Sequence, residues 1–295
     1  TASVARALIE NGKYSDPMPL KYYYIISCFR HEKPQAGRSR EFFQFGTEMF
    51  GSDSPAADAT AIALAHSVFA RLGLTNVKLH INSIGCPECR PKYHAKLKEY
   101  LGDRIKDMCP TCQERFEKNP LRILDCKEDQ DKRADAPAML ENLCPECAAH
   151  FEALKKYLDA MGIEYVVDSS IVRGLDYYTG VVFEFIVEGI GAQSTVCGGG
   201  RYDGLVESLG GPKRSGIGFG MGITRVILAM QAEGILPPTP EKPALYIAAL
   251  GAAAQVAAME ITERLRRDGK YAESDVVGRS LKAQRKYANK KGAKY

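Results

Sequence analysis

The segment from Phe29 to Gly51 constrains the fold more than any other part of this 295-residue chain. Between Glu41 and Phe50 its residues alternate in character with the period of two that a β-strand imposes. One face of that strand would build core, and the other would carry an amide, a glycine and a carboxylate. The first set is Phe43, Phe45 and Met49, and the second is Gln44, Gly46 and Glu48. The segment therefore predicts two paired strands with a polar pair on one face.

A basic loop joins the two predicted strands. It carries Arg30, Lys33, Arg38 and Arg40 around a proline and a glycine. Such side chains donate charge-assisted hydrogen bonds to phosphate oxygens. A solvated hairpin with a polar outer face is the alternative interpretation.

A second segment, from Gly216 to Arg225, alternates glycines with apolar residues. A strand with this pattern has one face of bare backbone, on which a flat ring could lie near Gly220 and Gly222. Arg225 follows at the start of a predicted helix, where it could reach a terminal phosphate. The spacing fits neither the dinucleotide fingerprint nor a P-loop. Close packing between strands is the other interpretation of the glycines.

Seven of the nine cysteines lie between Cys86 and Cys147, in a charged stretch that is helical in texture. Six of them form three C-x₂-C pairs, and the seventh is Cys126. The first two pairs have the spacing C-x₂-C-x₁₉-C-x₂-C, which is typical of a tetrahedral zinc site. The six candidate ligands, of which one structural Zn²⁺ needs four, are Cys86, Cys89, Cys109, Cys112, Cys144 and Cys147. Reduced, metal-free cysteines and disulfides are the alternatives.

Bulk properties exclude few classes of protein. The net charge is +4, and the seven basic residues between Arg279 and Tyr295, where no acid occurs, point to a nucleic-acid contact or to a solvated helix. Since no stretch approaches the roughly 20 apolar residues that span a bilayer, we expect no membrane segment. The chain begins as if inside a helix, so we expect an internal portion of a longer protein.

The order of elements predicts an α+β fold, an antiparallel sheet flanked by helices. We expect five parts. They are the first part of the sheet core (1–84), a helical, cysteine-rich insertion (85–162), the second part of the core (163–233), a proline-rich linker (234–243) and a partial C-terminal α/β domain (244–295).

Four motifs in one order resemble those of the histidyl-tRNA synthetases, a family of class II aminoacyl-tRNA synthetases. FRHEKPQAGRSREF with GTEMFG is similar to motif 2, and SGIGFGMGITR is similar to motif 3, with Thr224 where a glutamate commonly stands. RGLDYYTG (173–180) and CGGGRYDGL (197–205) resemble the two motifs peculiar to the histidine enzymes. The resemblance spans about 1–230. Motif 1, which forms the dimer in this family, should precede Thr1.

The resemblance implies activation of histidine with ATP and Mg²⁺, followed by transfer to tRNA(His). By that resemblance Arg30 grips the α-phosphate, while Arg38 and Arg225 bind the outer phosphates beside Gly220 and Gly222. Arg173 would stabilise charge at the α-phosphate and the carboxylate.

The same resemblance assigns the amino-acid pocket. Glu48 and Tyr178 would bind the imidazole, Gln44 and Tyr177 would help to seat the substrate, and Thr1 resembles the threonine of a substrate-contacting Glu-Gly-Thr turn. A carboxylate within hydrogen-bond reach of an imidazole N–H fixes its tautomer and rejects side chains without that donor.

Further properties follow from the resemblance alone. It implies a cytoplasmic homodimer, and the segment after Pro243 resembles the start of an anticodon-binding domain, which gives the basic helix a place on tRNA phosphates. A rival is the synthetase-like regulatory subunit of histidine biosynthesis, which binds histidine without aminoacylation. A third hypothesis makes the insertion an independent tRNA-binding module built on zinc.

Overall fold

The computed structural model describes most of the chain, namely residues 1–31, 39–126, 128–133, 135–172, 177–190, 194–235 and 241–295. The predicted phosphate ligands Arg38 and Arg173 lie outside the described residues. The chain divides into two compact units, Thr1–Ile235 and Leu236–Tyr295.

The larger unit is built on a sheet that has seven strands within the described residues. They are β1 (Leu20–Phe29), β2 (Glu41–Phe50), β3 (Lys78–Ser83), β4 (Val166–Val167), β5 (Thr179–Ile186), β6 (Thr195–Arg201) and β7 (Gly216–Gly222). Their order is β1-β2-β7-β6-β5-β3-β4, and every neighbouring pair is antiparallel except β3 with β4. The polar strand β2 and the glycine strand β7 are therefore adjacent.

Helices flank this sheet and build the insertion. They are α1 (Ala2–Glu10), α2 (Pro55–Arg71), α3 (Cys89–Leu101), α4 (Pro110–Lys118), α5 (Pro145–Ala160), α6 (Leu205–Ser208) and α7 (Ile223–Ala232). Helix α2 begins at a favourable N-cap, because the Ser54 hydroxyl accepts a hydrogen bond from the Ala56 amide at 3.2 Å and Pro55 is the first helical residue.

The main hydrophobic core lies on one face of the sheet, under α2, α5 and α7. Phe45 and Met49 of β2 pack against it, as their alternation predicts. Phe43 was assigned to the same face, but its side chain is 54% exposed. The pairing of β2 with β7 begins only at Gln44, so Phe43 extends past the end of the neighbouring strand.

A smaller core covers one end of the opposite face. Helix α1 contributes Ala5 and Leu8, which cluster with Phe50, Tyr178 and Tyr202. The insertion has a third core of its own, formed by α3 and the short turns that follow it, with Tyr93 and Leu97 fully buried.

The second unit is a small α/β arrangement. The strands β8 (Leu245–Ile247) and β9 (Ala272–Ser274) are parallel and are connected through α8 (Ala252–Arg267). The basic segment forms α9 (Leu281–Lys291), which Ser280 caps through its hydroxyl. Among the described residues no helix combines the length and the apolar character needed to cross a bilayer.

A buried ion pair connects the helical layer to the sheet. Arg201 at the end of β6 makes two hydrogen bonds to Asp58 of α2, at 3.0 and 2.7 Å, and both side chains are almost fully buried. His150 of α5 places its Nε2 2.7 Å from the same carboxylate. Three elements that are distant in sequence therefore meet at Asp58.

We expect Asp58→Ala to destabilise the protein by about 3–5 kcal/mol, because it leaves the guanidinium of Arg201 buried without its carboxylate. The measurement is the free energy of unfolding in urea. Glu114→Ala removes only the exposed pair with Lys118 and is the matched control, for which we expect almost no change. Equal effects of the two substitutions would contradict this account.

Candidate functional site

A buried carboxylate is the centre of the polar face of the sheet. Glu48 is 1% exposed, and two tyrosines donate hydrogen bonds to it. The hydroxyl of Tyr202 donates to its Oε2 at 2.6 Å, and that of Tyr24 donates to its Oε1 at 3.1 Å. The backbone nitrogen of Thr1 lies 3.3 Å from Oε1. Two separate segments, β1 and the residue that follows β6, thus supply side-chain donors to one buried carboxylate.

The glycines of β7 make room for the polar side chains of β2. A Cβ atom at Gly218 would overlap the carboxylate of Glu48, and a Cβ at Gly220 would overlap the amide of Gln44. The alternating glycines predict a bare face on which a flat ring could lie. In the structure, neighbouring side chains cover it at these two positions, whereas a Cβ at Gly222 would make an ordinary van der Waals contact of 3.8 Å with the side chain of Arg225.

The two tyrosines are held in the protonated state. Burial, together with the nearby Glu48 carboxylate, raises the pKa of Tyr202 well above its ordinary value of 10.0 and also raises that of Tyr24. Both hydroxyls are therefore donors near neutral pH. Gln44 extends the chain of hydrogen bonds, because its Nε2 donates to the Tyr24 oxygen at 3.3 Å.

Tyr177 and Tyr178 lie next to this cluster, as predicted. Their ring centroids are 4.9 Å apart, and the Tyr177 ring meets that of Tyr202 edge-on at 6.1 Å. Tyr178 is 4% exposed, and the guanidinium of Arg90 from the insertion donates to its carbonyl oxygen. The structure therefore brings together the predicted residues Thr1, Gln44, Glu48, Tyr177 and Tyr178.

The described arginines flank the polar cluster. Arg30 follows β1 and lies over the Phe42 ring, 4.4 Å from its centroid, while its Nε donates to the Ser39 carbonyl at 2.8 Å. Arg225 lies in the first turn of α7, near Gly222, and donates to the Thr195 carbonyl at 2.6 Å. Both residues are only partly buried.

The two tyrosine donors to Glu48 were not predicted from the sequence. Tyr202 lies within the CGGGRYDGL motif, but no role was given to it there. No role was predicted for Tyr24 either. The register of the hairpin pairs Tyr22 with Glu48 and Tyr24 with Gly46, so both tyrosines lie on the same face as the carboxylate and next to it. A polar residue on one strand predicts a polar neighbour across the pair.

The cysteines of the insertion form two clusters. The first, here called the base cluster, contains Cys86, Cys89, Cys144 and Cys147; the second cluster contains Cys109, Cys112, Cys126 and Asp129. In each, all ligand atoms lie within 4.8 Å of one another. The structure thus separates the two pairs whose spacing suggested one site. The reason is α3, whose 13 residues carry the chain about 18 Å between them.

The antiparallel sheet, with helices on one face and a polar site on the other, has the catalytic fold of class II aminoacyl-tRNA synthetases. A family profile described as histidyl-tRNA synthetase matches residues 1–88 and 102–226. The histidine–tRNA ligase of Acetivibrio thermocellus is 53% identical over 297 residues, which cover 100% of this chain and 71% of that protein. The chain belongs to the histidyl-tRNA synthetase family.

Solved structures agree with this assignment. The apo histidyl-tRNA synthetase of S. aureus superposes with a TM-score of 0.83 at 38% identity, over 100% of this chain and 72% of that one. A Bacillus halodurans protein described as an ATP phosphoribosyltransferase regulatory subunit/histidyl-tRNA synthetase has a TM-score of 0.65 at 23% identity, over 97% of this chain and 76% of that one. At that identity the likeness shows the fold alone.

The raised pKa of Tyr202 predicts a pH dependence of stability. The unfolded chain releases this proton near the ordinary pKa of 10.0 while the folded chain retains it, so the stabilisation is complete below that pH and is lost as the pH rises above it. We expect Tyr202→Phe to make this decline shallower, by at most about 1.4 kcal/mol per pH unit.

The check is the free energy of urea unfolding between pH 7 and pH 11. Tyr23→Phe, at a side chain that is 75% exposed, is the control and should keep the wild-type slope. An unchanged slope in Tyr202→Phe would contradict the prediction.

Proposed function

We propose that this protein activates histidine with ATP to form histidyl-adenylate and then transfers the histidyl group to tRNA(His). Membership of the family supports the reaction. The observation that carries the choice of amino acid is the buried Glu48 carboxylate with its ring of fixed donors.

Glu48 is suited to bind an imidazole N–H. A carboxylate has about four acceptor sites, and the two tyrosine hydroxyls occupy two of them. The surrounding donors fix the carboxylate in place, so that it need not reorganise when the substrate enters. An amino acid without a matching donor would leave this buried charge short of a partner, which costs several kcal/mol. Tyr178 and Gln44 border the same space.

Binding of ATP is assigned to the arginines around the cluster. Arg30 directly follows β1, and Arg225 lies in the first turn of α7, next to Gly222 at the end of β7. With Arg38, Arg173 and Mg²⁺ they would neutralise the phosphates. The attack of the histidine carboxylate on the α-phosphate needs no protein nucleophile, so positioning and charge stabilisation supply the acceleration.

Two partners belong to the same proposal. The second unit would contact tRNA phosphates through the basic helix α9, whose charge suits sequence-independent binding. A homodimer is supported by the apolar outer side chains of β1, since Tyr23 is 75% exposed, Ile25 63% and Phe29 75%. The cytoplasm as its compartment stays a prediction from the family.

The regulatory alternative is less well supported. The relatives at about half identity are ligases by name, whereas the protein described in part as a regulatory subunit is 23% identical. A regulator would bind histidine without forming an adenylate, so the two functions differ in one measurable step.

The test is histidine-dependent exchange of pyrophosphate into ATP by the full-length protein, with each standard amino acid in turn. We expect exchange with histidine alone. In Glu48→Gln the KM for histidine should rise roughly 10- to 100-fold, because a hydrogen bond to a charged group is worth about 1.5–3 kcal/mol.

The matched control is Glu41→Gln, a change at the exposed end of the same strand. It should keep the wild-type KM for histidine. Histidine binding without exchange would favour the regulatory function, and an unchanged KM in Glu48→Gln would overturn the assignment of the imidazole contact.

The glycines of β7 predict that a small substitution there lowers kcat/KM for histidine. Gly218→Ala would place a methyl group against both the Glu48 carboxylate and the Thr47 carbonyl oxygen of β2, so the carboxylate and the adjoining backbone must move. A displacement of about 1 Å at a catalytic site can cost on the order of 10²-fold, and we expect kcat/KM for histidine to fall by that amount. Steady-state exchange kinetics measure it.

Gly204→Ala is the control for this prediction, because nothing lies within 4 Å of a Cβ at Gly204 and its φ is −91°. It should retain wild-type kinetics. If Gly218→Ala retained them as well, the glycine would not be needed to seat Glu48.

A further inference from the structure

We propose that the insertion binds two zinc ions at separate sites, one in the base cluster with four cysteines and one in the second cluster with three cysteines and Asp129. Zinc binding at either site does not depend on the reaction proposed above.

The separations between sulfur atoms match a tetrahedral zinc site. Ligands 2.3 Å from a central ion at tetrahedral angles lie about 3.8 Å from one another. In the base cluster the Sγ of Cys86 lies 3.6 Å from that of Cys89 and 4.0 Å from that of Cys144. In the second cluster the Sγ atoms of Cys109 and Cys126 are 3.8 Å apart. A disulfide would require about 2.05 Å.

Asp129 completes the second site with an oxygen ligand. Its side chain is 2% exposed, and its Oδ2 lies 3.7 Å from the Sγ of Cys126. The same oxygen accepts a hydrogen bond from the Cys109 amide at 2.9 Å, and the Lys132 ammonium lies 3.2 Å from the other oxygen, Oδ1. A buried carboxylate that faces three thiols and is oriented by its own partners is what a mixed zinc site requires.

Local backbone geometry favours thiolates at both clusters. Cys144 is the N-cap of α5 and Cys109 is the N-cap of α4, and the next cysteine of each pair lies in the first turn of its helix. The partial positive charge of a helix N-terminus stabilises an anion there. The Cys144 amide also donates to the Cys89 sulfur at 3.1 Å.

The two sites would fix different parts of the insertion. The base cluster joins the chain that leaves β3 to the first turn of α5, and the second cluster closes the shorter loop from Cys109 to Asp129. The insertion has a small core of its own, and domains with small cores are commonly stabilised by a structural metal ion. The four thiolates of the base cluster should hold zinc more firmly than the mixed site.

The experiment is elemental analysis of the full-length protein after purification without added metal. We expect two zinc ions per chain, one in Cys86→Ser and one in Cys126→Ser. Cys28→Ser, at a cysteine outside both clusters, should retain two. A single ion in the wild type, or two in either cluster variant, would overturn the proposal, as would disulfides detected by mass spectrometry of the unreduced protein.

A second variant keeps the proposal testable if a serine variant does not fold. Asp129→Cys converts the mixed site into a four-cysteine site, so it should retain two ions. After replacement of zinc by Co²⁺, the thiolate-to-cobalt charge-transfer absorbance should rise above that of the wild type. Unchanged absorbance at two ions per chain would show that residue 129 is not a ligand.

Discussion

The burial of Glu48 is the constraint on which the rest of the catalytic sheet depends. An ionised carboxylate inside a protein costs several kcal/mol unless donors surround it. Here the donors come from Tyr24 on β1 and from Tyr202 after β6, while the space comes from Gly218 on β7. Each contribution requires the observed register of the strands. A slip of one residue would turn the carboxylate onto the opposite face, against the main core.

Local patterns allowed much of this fold to be predicted. The bounds of β2, the start of α2 at Ser54 and Pro55, and the basic helix α9 follow from periodicity and capping, which act over a few residues. The extent of the core along β2 was predicted less well. Phe43 alternates in step with Phe45 and Met49 but lies beyond the end of β7. The sequence of β2 alone does not predict how far its neighbour β7 extends.

The site was harder to derive than the fold, because its parts meet only in three dimensions. Resemblance to a family named five pocket residues that the structure brings together, yet the donors Tyr24 and Tyr202 needed the strand register to be seen. The cysteines show the same limit. Spacing along the chain paired the first two C-x₂-C motifs, whereas the intervening helix α3 separates them and leaves Cys126 and Asp129 as partners of the second pair.

The base cluster brings together the two ends of the segment that forms the separate core of the insertion. The chain leaves the sheet shortly before Cys86 and rejoins the helical layer at Cys144, and the ligand atoms of these two residues lie within 4.8 Å. The segment between Cys89 and Cys144 can become longer at little cost to the sheet. The entropic cost of closing a loop rises by only about 0.6 kcal/mol for each doubling of its length. The segment between α3 and α5 can therefore differ in length while α5 stays packed on the main core.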